Sequence, residues 1–413
     1  MTMLRGSRWG LTVAAVAMLT ATAACGNSAA KTADSGSGKA AASSTNEVII
    51  GAAVAKTGGQ TFYGGPAMIA AQAAIKDINA KGGIGGKQIK LVWEDSQTDF
   101  AKSAAAAETV LNKGAQVLLV DCDFDYGLPA AQVAQKRGVV AMNLCAGSPR
   151  AGDPRLLPMG FSMGVATNVE AAAMAQYAYD KLGYKKVYQL RDNSIEYSKS
   201  VCDYFKSAFT KLGGTVSEED SFNNADTSIQ AQVSKLRGSQ GKYDAINICS
   251  YPPGLTTAVR QIRAAGVTSP LLGSVTWDGD FWLGPKGAGQ LSDVYFPAYG
   301  SLYGDDPRPE ANALIAKVRT EMGSVPFTSF TLPGYSAVEA LAKGIEKAGT
   351  TDGTKLVAAL ESFKDEKLLI GPVSYSAQSH ARTQGAIDVT IMQIDAGKPK
   401  FVGIVQPKVV PAP

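Results

Sequence analysis

The stretch Ile78–Asp99, INAKGGIGGKQIKLVWEDSQTD, holds a helix end, a glycine-rich turn, a strand and an acidic loop in that order. Upstream, Val48–Ala52 (VIIGA) reads as a buried strand, and Pro66–Ala80 carries apolar residues at helical spacing until the glycines stop it. The order strand, helix, strand makes this the first βαβ unit of an open α/β domain. A dinucleotide loop needs glycines that open a helix directly after a strand, so that helix amides face the pyrophosphate. Here Gly82, Gly83, Gly85 and Gly86 follow a helix and only turn it into a strand, which argues against nucleotide binding.

The alternation continues outward. QVLLV, a helix from Pro129 and GVVAMN extend the first sheet to about Val165. Thr167–Glu170, TNVE, has capping-box spacing, with threonine over the third helical amide and glutamate reaching back, so a new helix and a new domain start there. KVYQL, a helix from Glu196, TVSEEDSF, a helix from Ile229, AINICS, a helix from Leu255 and LLGSV form a second sheet of similar size. VYFPAY, helices from Glu310, Pro333 and Thr354, and strands in VSYSA, AIDVTIMQID and FVGIV complete the chain. The fold class is therefore α/β with two doubly wound parallel-sheet lobes.

The block around Gly82, with the loop TGGQTFYG (Thr57–Gly64), resembles the branched-chain amino-acid family of ABC importer solute-binding proteins, which have a periplasmic binding protein type I fold. GKQIKLVWEDSQTDFAKSAAAAETVLNKGAQVLLV (Gly86–Val120), PGYSAVEALAKGIEKAG (Pro333–Gly349) and GPVSYSAQSHARTQGAIDVTIMQIDAGKPKFVG (Gly371–Gly403) extend the resemblance from Glu47 to about Pro407. It implies a three-strand hinge, with residues 47–165 and 297–372 in one lobe and 166–296 and 373–413 in the other. It also implies a monomer that closes on a small solute and presents it to permease subunits driven by partner ATPases. No cofactor is expected, and GxxxxGK[ST] is absent from the chain itself.

Arg5 and Arg8 precede the apolar run Leu11–Ala24, which is shorter than the roughly 20 residues of a membrane span and reads as a signal peptide over residues 1–24. Thr22-Ala23-Ala24-Cys25 resembles a bacterial lipobox, with Cys25 as the lipidated mature N-terminus; the alternative is a plain signal peptide ending near a cysteine. Residues 25–46, rich in Ser, Ala, Gly and Thr, read as a flexible tether. The chain is then exported and held by lipid at the outer face of the cell membrane.

The net charge of +4 over 413 residues is spread along the chain, and no basic block interleaves with aromatics, so a nucleic-acid partner is not expected. An exported chain can oxidise its cysteines. Cys122 follows the strand Gln116–Val120 and Cys145 the strand Val139–Asn143, so parallel neighbours would bring the two within disulfide reach. Cys202, in a helical run, and Cys249, at a strand end, form either a second bridge or two buried thiols.

Ligands of open parallel sheets lie outside the carboxyl ends of strands. The candidate ligand-binding residues are therefore Phe62, Tyr63, Asp123, Phe124, Tyr126, Ala146, Gly147, Ser148, Arg191, Tyr197, Tyr251, Trp277 and Asp278. Aromatics with a polar tip suit such a site because they bury apolar area and still hydrogen-bond. The resemblance places small hydroxyl residues after the strand ending at Val120 and an Ala-Thr pair after the next, both holding a ligand carboxylate. Aligned through AAQVAQKRG, these positions fall on Asp123 or Phe124 and on Ala146 and Gly147. An aspartate there would repel a carboxylate. Either the anchor has changed, toward a ligand that donates hydrogen bonds or carries positive charge, or Arg191 compensates, or Asp123 caps the following helix or points to solvent. Tyr197 sits where the family has a Tyr-Gly pair, and Trp277 and Asp278 match a region that supplies an acidic group to the ligand's amino end.

DCDFDYG (Asp121–Gly127) begins like an EF-hand loop, but Tyr126 replaces the required glycine and Gln132 the final glutamate, so no metal is expected. The lone histidine, His380, lies in the polar loop SYSAQSHARTQG and reads as solvated; with no serine elbow and no metal-spaced partner, catalysis is not expected. Amino acids or amide-like derivatives lead as ligands. A urea-type compound or aromatic acid is the alternative, and a sensor reporting to a signalling partner is the rival class.

Overall fold

The computed structural model describes residues 46–279, 281–282, 291–323, 327–383 and 387–413. The signal segment, Cys25 and the tether through Thr45 lie outside the described residues. The first sheet contains β1 (Glu47–Ala53), β2 (Gln88–Glu94), β3 (Val117–Val120), β4 (Val140–Asn143) and β5 (Gly160–Ser162), all parallel in the order β2-β1-β3-β4-β5. The second contains β6 (Lys186–Asp192), β7 (Thr215–Phe222), β8 (Ala245–Cys249), β9 (Leu271–Leu272) and β10 (Val294–Ala298). β11 (Glu366–Leu368) and β12 (Gly371–Val373) make a separate hairpin, and β13 (Val389–Asp395) and β14 (Lys398–Val405) join the second sheet, whose order is β14-β13-β10-β9-β8-β6-β7. Two α/β lobes result. The second sheet is mixed, because β13 and β14 return as an antiparallel edge ribbon beside β10.

Helices α1 (Thr61–Ala80), α2 (Phe100–Asn112), α3 (Phe124–Lys136), α4 (Thr167–Gln176), α5 (Glu196–Lys211), α6 (Gln230–Gly238) and α7 (Gly254–Ala264) connect successive strands, followed by α8 (Pro309–Arg319), α9 (Thr331–Ala348) and α10 (Gly353–Glu361). The glycine turn does what its spacing predicts. Gly82, Gly83, Gly85 and Gly86 all have positive φ, and Gly83 N–H donates to Ile78 O at 2.9 Å to end α1. Asn79 then ties helix to strand, since its side chain both accepts from Ile89 N–H (2.7 Å) and donates to Ile89 O (2.9 Å).

Two helices begin about five residues earlier than the periodicity predicts. α1 takes in Thr61–Gly65, so Phe62 and Tyr63 stand on its first turn instead of in a loop. α3 starts at Phe124, because Asp123 Oδ1 accepts from Asp125 N–H (2.9 Å) and Tyr126 N–H (3.3 Å) as its cap. The capping box at α4 does not form. Ala166 is the N-cap, Thr167 is already helical, and Glu170 is drawn away to accept from Tyr197 Oη at 2.7 Å. VSYSA does not continue as a strand beyond Val373.

α9 packs along α1, so closely that Gly334 lies against the Ala67 backbone. The chain after β10 thus returns to the first sheet. Residues 375–382 stay there too: Tyr375 Oη donates to Ser162 O at 3.0 Å and packs edge-on against Phe161. His380 is fully buried, contrary to the solvated-loop expectation. Its ring stacks on Phe161 (4.0 Å between centroids, 9° between planes), and its nitrogens meet Gly160 O and Glu361 Oε1, each at 3.0 Å. The polar neighbours that made the segment read as a loop hide a ring that fills the first lobe's core. Both Cys122–Cys145 and Cys202–Cys249 are disulfides, with Cα separations of 4.5 and 5.7 Å.

Candidate functional site

Each sheet reverses its winding once. In the first, β1 lies between β2 and β3; in the second, β6 lies between β7 and β8. Loops leaving neighbouring strands diverge at such points, which opens a crevice at the strand tips. The tips of β1, β3 and β4 face those of β6 and β8 across a small cavity, whose space between the walls is about 330 Å³ with the open solvent at its mouth included.

Gln60 and Tyr63 enter this cavity from the start of α1, and Cys122 and Asp123 from the end of β3. Cys145 and Gly147 follow β4, so the Cys122–Cys145 bridge forms part of the wall. The second lobe contributes Ile195 and Tyr197 at the start of α5, Tyr251 after β8, and Val275 and Thr276 after β9; Phe330, just before α9, completes the lining.

Fixed polar contacts hold these loops. Asp121, fully buried, accepts from Ala55 N–H at 2.8 Å and from Ser96 Oγ, which joins the loops after β1, β2 and β3. In the second lobe Asp192 accepts from Ser194 N–H (3.0 Å), Asn224 Nδ2 (2.8 Å) and Ser250 Oγ (2.8 Å), while Asn224 Nδ2 also donates to Tyr251 O at 2.7 Å. The bond from Tyr251 leads into the cis peptide Pro252–Pro253. Tyr197 is held at both ends: its hydroxyl donates to Glu170, and its ring lies against Gly147, where a Cβ would come within 2.9 Å of Cε2.

Burial governs the electrostatics. It pushes the carboxyls of Asp121 and Asp123 up to about 7, with Asp125 adding to the rise at Asp123, and that of Glu170 up to about 8. Burial also raises the Tyr63 hydroxyl, with Tyr251 and Asp123 contributing through their charges, and raises Tyr251 likewise. Both tyrosines therefore feel the Asp123 carboxyl, one from each lobe.

Of the sequence candidates, Tyr63, Asp123, Gly147, Tyr197 and Tyr251 come together on the cavity. The others stand elsewhere. Phe62 stacks on Phe281 (4.7 Å), and Phe124, the first residue of α3, is buried with the Arg150 guanidinium 4.8 Å from its ring. Tyr126 stacks on Phe100 at 5.0 Å. Ala146 and Ser148 are buried in the loop after β4, Ala146 donating to Asn143 Oδ1 and Ser148 Oγ without a hydrogen-bond partner. Arg191 pairs with Asp203 on α5 and so does not offset Asp123. Trp277 fills the core of the second lobe edge-on to Trp282 (5.4 Å), and Asp278 accepts from Ser329 N–H. Gln60, Ile195, Val275, Thr276 and Phe330 were not among the candidate binding residues. Four of them lie within three residues of predicted positions, whereas Phe330 reaches the site only because the chain returns to the first lobe. Among the described residues, no group of three or more His, Cys, Asp or Glu is placed to hold a metal ion.

The lobes touch across the cavity. Tyr63 Oη donates to Thr276 O at 3.5 Å, Asp125 Oδ2 accepts from Glu196 N–H at 2.9 Å, and Thr167 N–H donates to Gly147 O at 2.7 Å. A profile of the periplasmic binding protein family matches residues 47–399. The chain belongs to that family. Its members bind solutes and are not enzymes, so this chain is an extracytoplasmic solute-binding protein of the ABC importer type whose two hinged lobes close on a small organic ligand. It is 27% identical to the Leu/Ile/Val-binding protein BraC3 of Rhizobium johnstonii, over 85% of this chain and 93% of the relative. LivJ of Streptococcus pneumoniae, crystallised with isoleucine, shares the fold at a TM-score of 0.77 and 24% identity, over 87% of this chain and all of that one. A solute-binding protein of R. palustris in complex with benzoate superposes with a TM-score of 0.70 at 19% identity, over 88% and 98% of the two chains.

Proposed function

We propose that this binding protein is tethered to the outer face of the cell membrane through a lipidated Cys25 and delivers its solute to permease subunits with partner ATPases. Its lobes divide near Val165, Ala298 and Arg382, and the cavity at the apposed switch points is the solute site. The relatives that bind leucine, isoleucine and valine make amino acids and amide-like derivatives the first class to test. The observation that carries the reading is the cavity itself, walled by strand tips of both sheets and bridged by Tyr63 to Thr276 and Asp125 to Glu196. Closure excludes water and strengthens each polar contact inside.

A second reading, an aromatic acid, draws support from the aromatic wall and from the benzoate-bound neighbour. Against it, Asp123 would face the acid, and among the described residues the lining contains no lysine or arginine. Calorimetry of the purified protein against amino acids, amides and aromatic acids, with small-angle scattering for compaction, tests both. A saturable ligand that shrinks the particle supports solute capture. Failure of every compound to bind or compact it removes the cavity as the site.

A further inference from the structure

Four aromatic rings and one carboxyl surround the cavity. Tyr63 and Phe330 lie against each other (5.0 Å between centroids) on the first-lobe side, and Tyr197 and Tyr251 face them from the second. Asp123 closes the ring from the tip of β3. Only one of its oxygens is engaged as the α3 cap: Oδ1 takes both amide bonds, whereas no hydrogen bond reaches Oδ2 from the described residues. Gln60, 3% exposed on the same wall, has an Oε1 without a partner among the described residues. Among the described residues the wall thus offers ring faces, a carboxylate oxygen and a free carbonyl oxygen, with no cationic side chain to meet an acid.

Such a set recognises positive charge. Aromatic faces attract a cation through their quadrupole, by roughly 2 kcal/mol or more once the cation is desolvated, and quaternary ammonium groups are bound by aromatic cages of this kind. A free carboxylate in a ligand would find repulsion at Asp123 and, among the described lining residues, no compensating charge. We infer that the solute is an organic cation whose alkylated ammonium head sits among Tyr63, Tyr197, Tyr251 and Phe330, with Asp123 as its counter-ion and Gln60 Oε1 accepting from a hydroxyl or N–H further along the molecule. The inference rests on the solute-site reading and narrows it, because a zwitterionic or acidic ligand would fit the same cavity less well than a cation of the same size.

The probe pair is choline and its uncharged isostere 3,3-dimethylbutan-1-ol, titrated calorimetrically into the full-length mature protein beside leucine, acetamide and benzoate. Choline should bind saturably and about tenfold or more tighter than the isostere, as a desolvated cation–π contribution of this size requires. Asp123→Asn keeps a helix-capping side chain and removes the charge; it should weaken choline by about tenfold while leaving the isostere unchanged. Tyr251→Leu, with unaltered circular dichroism, should weaken choline further than the isostere. Equal affinity for choline and isostere overturns the cage. So does binding of leucine, acetamide or benzoate with particle compaction and no response to choline, which leaves solute capture standing. Silence of the whole panel removes both.

Discussion

Asp125 Oδ2 accepts the backbone N–H of Glu196 at 2.9 Å, so a carboxylate on the first lobe caps the first turn of α5 on the second. The amides at a helix start have no partner within the helix and carry partial positive charge, which an anion complements. Asp125 lies two residues from Asp123, and Glu196 is next to Tyr197, so this bond forms beside the cavity only while the lobes are together.

Replacing Asp125 by alanine should therefore weaken closure and not folding. A helix-terminal charge of this kind contributes about 1 kcal/mol. The expected result is roughly a fivefold loss of affinity for whichever solute binds, a larger radius of gyration in solution scattering, and an unfolding midpoint within a degree or two of wild type. An unchanged affinity would show that the contact follows closure without favouring it.

Binding of a cation should depend on pH through Asp123. Its carboxyl faces Asp121 and Asp125 on its own segment, Tyr126 on α3, Tyr63 on α1 and Tyr251 from the second lobe, and burial raises it to about 7. Below that value the free protein holds a proton there, and the carboxyl offers a cation no charge. Choline affinity should be constant above about pH 8 and fall as pH drops through 7, levelling off about tenfold lower near pH 5.5, where the carboxyl is neutral in both free and bound protein, whereas Asp123→Asn should show a flat profile at that lower level. Calorimetry between pH 5.5 and pH 8.5 checks both.

Glu170 gives a stability signature of the opposite origin. It is fully buried, with Oε1 accepting from Tyr197 and Oε2 unpaired among the described residues, and burial moves its carboxyl from the usual 4.5 to about 8. The folded state therefore holds this proton more tightly than the unfolded chain does. The resulting stabilisation is complete below about pH 4.5 and is lost as pH rises toward 8. Glu170→Gln has no proton to lose, so relative to wild type it should gain on the order of 3 to 4 kcal/mol between pH 5 and pH 8. Urea unfolding at the two pH values reads this difference.

The two disulfides should separate stability from binding. Chain entropy gives about 3.5 kcal/mol for the 23-residue separation of Cys122–Cys145 and about 4 kcal/mol for the 47-residue separation of Cys202–Cys249. Serine replacements of either pair should lower the melting temperature by similar amounts. Only loss of Cys122–Cys145, which lines the cavity next to Asp123 and Gly147, should also weaken the solute; equal affinities in the two variants would show that the bridge does not shape the wall.

The fold was legible where local signals agree with the global arrangement. The glycines after Asn79, the wholly buried runs VLLV and VAMN, and the helix start near Glu196 each read directly from periodicity and turn chemistry. The site was half legible, because strand tips can be found from sequence but the direction of each side chain cannot. Trp277 and Tyr251 both follow strands, yet one turns into the core and the other onto the cavity. His380 and Phe330 were invisible for a different reason. Each owes its burial to chain segments more than 150 residues away in sequence, Gly160 for the one and Tyr63 for the other, and a polar loop or an unmarked helix start gives no hint of such neighbours.

Two glycines should respond to alanine in contrasting ways. At Gly334 a Cβ would lie 2.1 Å from Ala67 O, a backbone atom of α1 that cannot rotate aside, so Gly334→Ala must push α9 from α1 and cost about 2 kcal/mol or more of stability. At Gly147 the nearest atoms are Tyr197 Cε2 at 2.9 Å and Thr167 Cγ2 at 3.2 Å, both side chains on the other lobe. Separating the lobes relieves that clash without disturbing either core. Gly147→Ala should therefore leave the melting temperature of the ligand-free protein nearly unchanged while lowering solute affinity by about tenfold, the equivalent of 1.4 kcal/mol set against closure. If Gly147→Ala melted like Gly334→Ala, the contact between Gly147 and Tyr197 would belong to the folded core instead of to a closing interface, and the hinge would lie elsewhere.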